Sequence, residues 1–198
     1  MSGSGMEKSH KAMSGYVKSV SKQVEDGSSG QDTLPLGNLG SVMMLFGQEF
    51  EHTSSFGRRL ITIGRSNQDL SRLQKIFATG ITSSWLQSIE RSLTQLKDYN
   101  SSRKKLDSRR LAFDAAHTKA QRSKKDDFRA EEELRLQKVK YEEANEELYR
   151  RMLDIMESEQ VSMADLGDFL DAQLVYHEQS LARLKRTKIE FMARYVVV

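Results

Sequence analysis

The segment MADLGDFLDAQLVYHEQSLARL, residues 163–184, decides the fold of this 198-residue chain. Its seam positions recur at steps of three and four residues: Met163, Leu166, Leu170, Leu174, His177, Leu181 and Leu184. Such spacing places side chains on one face of an α-helix and is typical of a coiled-coil seam. The segment therefore predicts a long amphipathic helix that packs along another helix. Within this seam we expect His177 to be a packed core histidine.

A similar spacing runs through nearly all of the chain after Pro35, which is its single proline. Because proline removes a backbone donor and clashes with the preceding turn, a chain without it can form long uninterrupted helices. We predict helix 1 over about residues 6–52, interrupted by a Gly- and Ser-rich insert at 26–38. Helix 2 is predicted over about 55–124 and helix 3 over about 127–195. Residues 1–5 are interpreted as an expression scar.

The lengths of these helices indicate an elongated protein. A helix of about 65–70 residues is about 100 Å long, whereas a compact domain of this size would be roughly 40 Å across. We therefore predict an all-α fold, an elongated antiparallel three-helix coiled coil. The apolar residues left over call for a second copy, so a homodimer is expected. Gly57, Gly64 and Gly80 are predicted to mark kinks or close contacts between helices.

Composition argues against several classes of function. The absence of cysteine excludes disulfides and thiolate metal sites and favours a reducing, cytoplasmic location. No apolar run approaches the roughly 18 residues of a membrane span. Glu-x-x-His occurs at Glu7–His10 and at Glu49–His52, but a di-iron site also needs glutamates from two other helices. We predict no metal, no cofactor and no enzymatic activity.

Charge is distributed unevenly although the net charge is only +3. Residues 103–125 hold nine Lys/Arg against two Asp, a balance of +7. Residues 131–159 hold ten acids against five bases, a balance of −5. This arrangement suggests two neighbouring helices with different exposures.

Two stretches make the interpretation more specific. They are KKLDSRRLAFD at residues 104–114 and QVSMADLGDFLDAQLVYH at residues 160–177. Both resemble the endophilin branch of the BAR-domain family. Supporting matches follow in the family's order: Phe46-Gly47, Phe56-Gly57, Glu132-Glu-Leu-Arg135 and Tyr141-Glu-Glu143. The resemblance covers residues 39–188.

The resemblance implies a BAR domain over residues 6–195 that forms a crescent-shaped homodimer. Such a dimer is a peripheral membrane scaffold that senses or generates curvature on anionic membranes, in endocytosis or vesicle trafficking. Protein partners would bind through flanking regions. The family's membrane insert corresponds to residues 26–38, which here contain no lysine or arginine. Only Leu34 and Leu36 of this insert could therefore touch lipid.

Two groups of basic residues are candidate lipid contacts. The tip group lies at the predicted turn between helices 2 and 3 and comprises Lys119, Arg122, Lys124, Lys125 and Arg129. The alternative is a solvated turn whose charge Asp126 and Asp127 partly cancel. The second group is expected on the concave face and comprises Arg58, Arg59, Arg65 and Arg72. Its alternative is ion pairing with Glu49, Glu51 or acids of the third helix.

Other interpretations stay open at this point. Lys104, Lys105, Arg109 and Arg110 are at least as well explained by ion pairs inside the bundle. The alternative function is a dimeric coiled-coil adapter that binds proteins without touching lipid. Nucleic-acid binding is disfavoured, because the basic segment has few aromatic residues for base stacking.

Overall fold

The computed structural model describes residues 3–25, 32–122 and 128–193, and these residues are mainly helical. The helices are α1 (Gly3–Ser21), α2 (Pro35–Gln48), α3 (Ser55–Ile81), α4 (Gln87–Arg122) and α5 (Phe128–Ala193). A π-helical segment, Thr82–Leu86, joins α3 to α4. β1 (Val24–Glu25) and β2 (Asp32–Thr33) form a two-residue antiparallel pairing. Apart from this pairing, the predicted all-α fold is confirmed.

Helix α2 begins inside the segment that was predicted to be the insert, four residues before its expected start. Pro35 occupies the first turn of α2, where its fixed φ and missing N–H are tolerated. At the next boundary, the Ser54 hydroxyl accepts a hydrogen bond from the Gly57 amide at 3.2 Å and caps α3. Such a cap satisfies one of the amides that a helix leaves unpaired at its start.

The chain divides into two compact units, which are described separately. The bundle unit comprises Lys8–Gln87 and Ala164–Val198, and the hairpin unit comprises Met1–Glu7 and Ser88–Met163. In the bundle unit, α2 runs antiparallel to α3 at very short distance. A Cβ atom on Gly47 would lie 2.7 Å from the Gly57 carbonyl oxygen, so these helices touch backbone to backbone. The prediction of close helix contacts at Gly57 is thus confirmed.

Helix α5 packs antiparallel on α3 within the bundle unit. Thr187 Oγ1 donates to Ser66 Oγ at 2.8 Å, and both residues are buried. Further along the same pair of helices, the rings of Phe77 and Tyr176 stack with centroids 4.9 Å apart. Phe77 also meets Tyr16 of α1 edge-on at 6.3 Å. Phe77 therefore joins three helices of the unit.

The hairpin unit consists mainly of α4 and the first half of α5, paired antiparallel. Phe113 stacks on Tyr141 at 5.7 Å, and Ser88 Oγ donates to Ser162 Oγ at 3.3 Å. Apart from Ile89, the buried positions described in this unit are small residues: Ser88, Ser102, Ala116, Ala130 and Ala144. Small side chains let the two helices approach closely.

The seam of α5 in the bundle unit is exposed in this single chain. Its leucines retain about half of their accessible surface: Leu166, Leu170, Leu174, Leu181 and Leu184. The face that packs on α3 instead carries Ala172, Tyr176 and Thr187. His177 is exposed as well, so the expectation that it is a packed core residue is wrong. Its position in the seam turns it away from α3.

Candidate membrane interface

Basic side chains lie at the end of α4 and at the start of α5. Arg122 ends α4 and Arg129 lies in the first turn of α5, and both are exposed. Lys119 forms a 2.8 Å ion pair with Glu133, so part of its charge is compensated. Lys124 and Lys125, the other predicted members of this tip group, lie outside the described residues. Arg122 and Arg129 are therefore the clearest described cations of the group.

The outward face of α3 carries a second set of cations. Arg58, Arg65 and Arg72 follow one another at steps of seven residues, and all three are exposed. Steps of seven keep side chains on one helical face. α2 contacts α3 through Gly57 and Gly64, and α5 contacts it on the opposite side through Ser66 and Phe77. The arginine face, defined by Arg58, Arg65 and Arg72, lies between those two contacts.

The charge of the arginine face is offset in part, by one acid at Arg72. Asp69 is the sole acid of α3, against five Lys/Arg. It binds Arg72 at 2.7 Å and also Arg183 of α5 at 2.9 Å. Arg58 donates one hydrogen bond to the His52 carbonyl at 3.1 Å. A guanidinium has five N–H donors, so arginines engaged in this way can still bind phosphate. The ion-pairing alternative named Glu49 and Glu51 as partners, but the partners seen for Arg58 and Arg72 are His52 and Asp69.

Arg59 differs from the other predicted arginines. Its side chain is half-buried, and its guanidinium carbon lies 4.9 Å from the centroid of the Phe191 ring. A cation over an aromatic face in a partly desolvated site is worth about 0.5–2 kcal/mol. This contact favours a packing role for Arg59 between α3 and α5.

The insert residues also separate into two kinds. Leu34 is 1% exposed and is the largest of the fully buried side chains. With Val17 and Ala78 it lines a cavity of about 450 Å³ between α1 and α3. Leu34 is therefore a core residue, and the expectation that it touches lipid is corrected. Leu36 is half-buried at the start of α2 and remains a proposed lipid contact.

The basic residues at 104–110 include a well-formed internal ion pair. Lys105 Nζ lies 2.6 Å from Glu147 Oε2 across the hairpin, as the bundle-internal interpretation predicts for this residue. The Lys105 hydrogen bond and charge hold the pKa of Glu147 below its usual value. Arg110 approaches Asp114 at 4.0 Å on the same helix.

Sequence reasoning missed one residue of the arginine face. Ile76 is 69% exposed, although its neighbour Phe77 is 4% exposed. Its spacing could have indicated this position. Ile76 follows Arg58 by eighteen residues, or five helical turns, which places both residues on one helical face.

Within the described residues, no helix combines the length and the apolar character that crossing a bilayer requires. Contact with a membrane would therefore use surface residues of these helices.

Antiparallel helices with a seam left open and cations on an uncovered face define an all-α coiled-coil scaffold. The BAR-domain family model matches residues 2–192, so the chain belongs to the BAR-domain family. This confirms the resemblance found in the sequence. BAR domains are non-enzymatic scaffolds that dimerise and associate peripherally with curved membranes.

Curated relatives agree with this assignment. An uncharacterised protein of Schizosaccharomyces pombe is 34% identical over 91% of this chain and 36% of its own length. The Meiotically up-regulated gene 137 protein of the same yeast is 32% identical over 89% of the chain and 42% of its length. Human Endophilin-A3 is 28% identical over 80% of this chain and 44% of its own length. The chain thus spans less than half the length of these relatives.

A solved structure supports the fold independently. The amphiphysin BAR domain from Drosophila matches with a TM-score of 0.70 over 98% of this chain and 89% of that one. At 14% sequence identity, this likeness shows the fold alone.

Proposed function

We propose that this protein is a homodimeric scaffold that binds anionic membranes and senses or generates their curvature, in endocytosis or vesicle trafficking at cytoplasmic membrane surfaces. The observation that carries the proposal is the arginine face of α3. Three arginines on one helical face remain exposed, and the single acid of that helix is already bound to Arg72 and Arg183. An anionic bilayer is a complementary partner for such a surface.

The magnitude of this attraction is sufficient for reversible binding. Each Lys or Arg near an anionic leaflet contributes about 1 kcal/mol, and the attraction falls off within a Debye length. A dimer would present the arginine face twice. The tip group, of which Arg122 and Arg129 are the exposed described members, is proposed as a second contact. Lys124 and Lys125 belong to this proposal through their sequence positions.

The exposed seam of α5 supports dimerisation. Leu170, Leu174 and Leu181 each retain half or more of their accessible surface. On α2, Leu39 retains 50% and Val42 retains 48% of theirs. Fully burying one such side chain is worth about 1.5–3 kcal/mol. A second copy of the same chain offers a matching leucine face, which we propose as the occupant of this surface.

Co-sedimentation with phosphatidylserine-containing vesicles tests the proposal. The triple variant Arg58→Gln, Arg65→Gln, Arg72→Gln removes three charges from the arginine face. The matched control Lys138→Gln, Arg150→Gln, Arg186→Gln removes three exposed charges that form i,i+4 pairs with glutamates of α5. We expect the first variant to lose most binding at about 50 mM salt, where screening is weak, and the control to bind as wild type.

Electron microscopy of the same mixtures tests the curvature part of the proposal, since a curvature-generating scaffold converts vesicles into tubules. Absence of wild-type co-sedimentation even at low salt would contradict lipid binding and support the adapter alternative. Equal loss of binding in both triple variants would show that total charge, and not the arginine face, determines binding.

A further inference from the structure

The face of α3 that carries Arg58, Arg65 and Arg72 also carries an exposed apolar side chain, one turn beyond Arg72. Ile76 lies eighteen residues after Arg58 and eleven after Arg65, which places it within about 20° of both around the helix. Arg72 precedes it by one turn. Ile76 is 69% exposed, so neither α2 nor α5 covers it.

The exposure of Ile76 is not explained by the core or by the leucine seam. The core positions of α3 next to it are Leu70, Phe77 and Ala78, which are all buried. The exposed leucine seam lies on α5, and Leu39 and Val42 are exposed on α2, whereas Ile76 lies on the face of α3 between its contacts with those helices. Ile76 is thus an outward-directed apolar side chain one turn beyond Arg72 and on the same helical face as Arg58 and Arg65.

We propose that Ile76 inserts into the hydrocarbon boundary of an anionic bilayer while the arginines of the same helical face bind the phosphate layer. This inference rests on the proposed function and adds that one side chain of the arginine face enters the hydrocarbon of the bilayer. Helices that lie in a membrane interface combine cationic and apolar side chains in this manner. The long arginine side chains can reach back to the phosphates when the helix approaches, which leaves the shorter Ile76 free to contact acyl chains.

The same face fits a nucleic acid less well. Phosphates of a nucleic acid would satisfy Arg58, Arg65 and Arg72 but would leave Ile76 without an apolar partner. Binding of single strands relies on aromatic stacking, and the arginine face positions Arg58, Arg65, Arg72 and Ile76 include no aromatic residue. A bilayer is the occupant that uses both the charge and the apolar side chain.

Single-cysteine labelling tests the proposal directly, because the chain contains no cysteine. Ile76→Cys is labelled with the environment-sensitive fluorophore NBD. The matched control is Ile189→Cys on α5, since Ile189 is also 69% exposed but lies next to the Arg186–Glu190 ion pair. On phosphatidylserine vesicles we expect NBD at position 76 to become brighter, to shift to the blue and to be quenched by spin-labelled acyl chains. NBD at position 189 should change little.

Affinity provides a second measurement that needs no label. Ile76→Ser should weaken vesicle binding about tenfold, as expected for losing the partial burial of one aliphatic side chain. Ile189→Ser should bind as wild type. Both positions are exposed, so helical content should be unchanged in each variant.

Failure of the inference and failure of the proposed function give different results. Vesicle-bound protein with unchanged NBD emission at position 76 would overturn insertion of Ile76 while leaving membrane binding intact. Protein that does not co-sediment at all would overturn both. A third result would also overturn the inference: a DNA duplex displaces the protein from vesicles, and NBD emission at position 76 is unchanged. The arginine face would then be assigned to nucleic acid.

Discussion

Gly40 and Gly64 face each other so closely that a Cβ atom on either residue would lie 2.6 Å from the carbonyl oxygen of the other. Real Cβ atoms are essentially never found so close to another heavy atom. The contact between α2 and α3 therefore exists only because both positions lack a side chain. Gly47 and Gly57 repeat the arrangement further along the same pair of helices.

We predict that Gly64→Ala lowers the free energy of unfolding by about 1–3 kcal/mol, because the added methyl group forces the helices apart. Gly15→Ala is the matched control, since a Cβ atom added to Gly15 of α1 would have no other atom within 4 Å. Alanine there should raise stability by up to about 1 kcal/mol through helix propensity. Urea unfolding followed by circular dichroism measures both. A Gly64→Ala variant as stable as wild type would contradict the close contact.

Arg59 and Arg65 should respond differently to the same substitution. Arg59→Gln removes the contact with Phe191 and is expected to lower stability by about 0.5–2 kcal/mol. Arg65→Gln removes an exposed charge and should leave the melting temperature unchanged while weakening vesicle binding. Thermal unfolding and co-sedimentation of the two variants separate packing from lipid contact. The reverse pattern would assign Arg59 to the membrane surface.

Glu147 should make a pH-dependent contribution to stability. Lys105 lowers its pKa in the folded protein, so the stabilising effect is present above the pKa of the unfolded chain. It is lost as the pH falls through the lowered pKa of the folded state. Glu147→Gln should therefore destabilise the protein at neutral pH and match wild type in strong acid. Melting temperatures of wild type and Glu147→Gln, measured from neutral pH to strong acid, test the prediction. Glu142→Gln is the control on the same helix.

The leucine seam of α5 can be tested by placing a charge in it. Leu174→Glu should convert the proposed dimer into a monomer of 22.6 kDa, because a carboxylate would be buried without a partner. Leu111→Glu, at a 71% exposed position of α4, is the control and should remain dimeric. Sedimentation velocity at micromolar concentration distinguishes the two masses. A wild-type protein that is monomeric would contradict the assigned occupant of the seam.

The α-helical class and the family follow from helical spacing and short motifs, because both depend on patterns local to the chain. The seam at 163–184 and the motif at 104–114 each lie within one helix. The start of α2 is less easily predicted, since Pro35 can either break a helix or occupy its first turn. The structure shows the second of these two roles.

Tertiary contacts decide what sequence spacing cannot. Leucines at seam spacing could pack between helices of one chain, but serine, threonine and alanine occupy many of those buried positions instead. Spacing separates Arg59 from the other three predicted arginines by about 100° or more around the helix, but it could not show that Arg59 meets an aromatic ring more than 130 residues away. Leu34 lies in a segment rich in turn residues, and its burial depends on Val17 and Ala78 from two other helices.

The small buried residues between these helices have a consequence for how the protein stays folded. In the described part of the chain, two serines, Ser66 and Ser88, are among the largest fully buried side chains together with Leu34 and Ile81, while many large aliphatic residues of α5 are exposed. In the proposed homodimer, the exposed leucines of α5 are buried only when two chains meet. In such a dimer, association stabilises the folded chain, so the melting temperature is expected to rise with protein concentration.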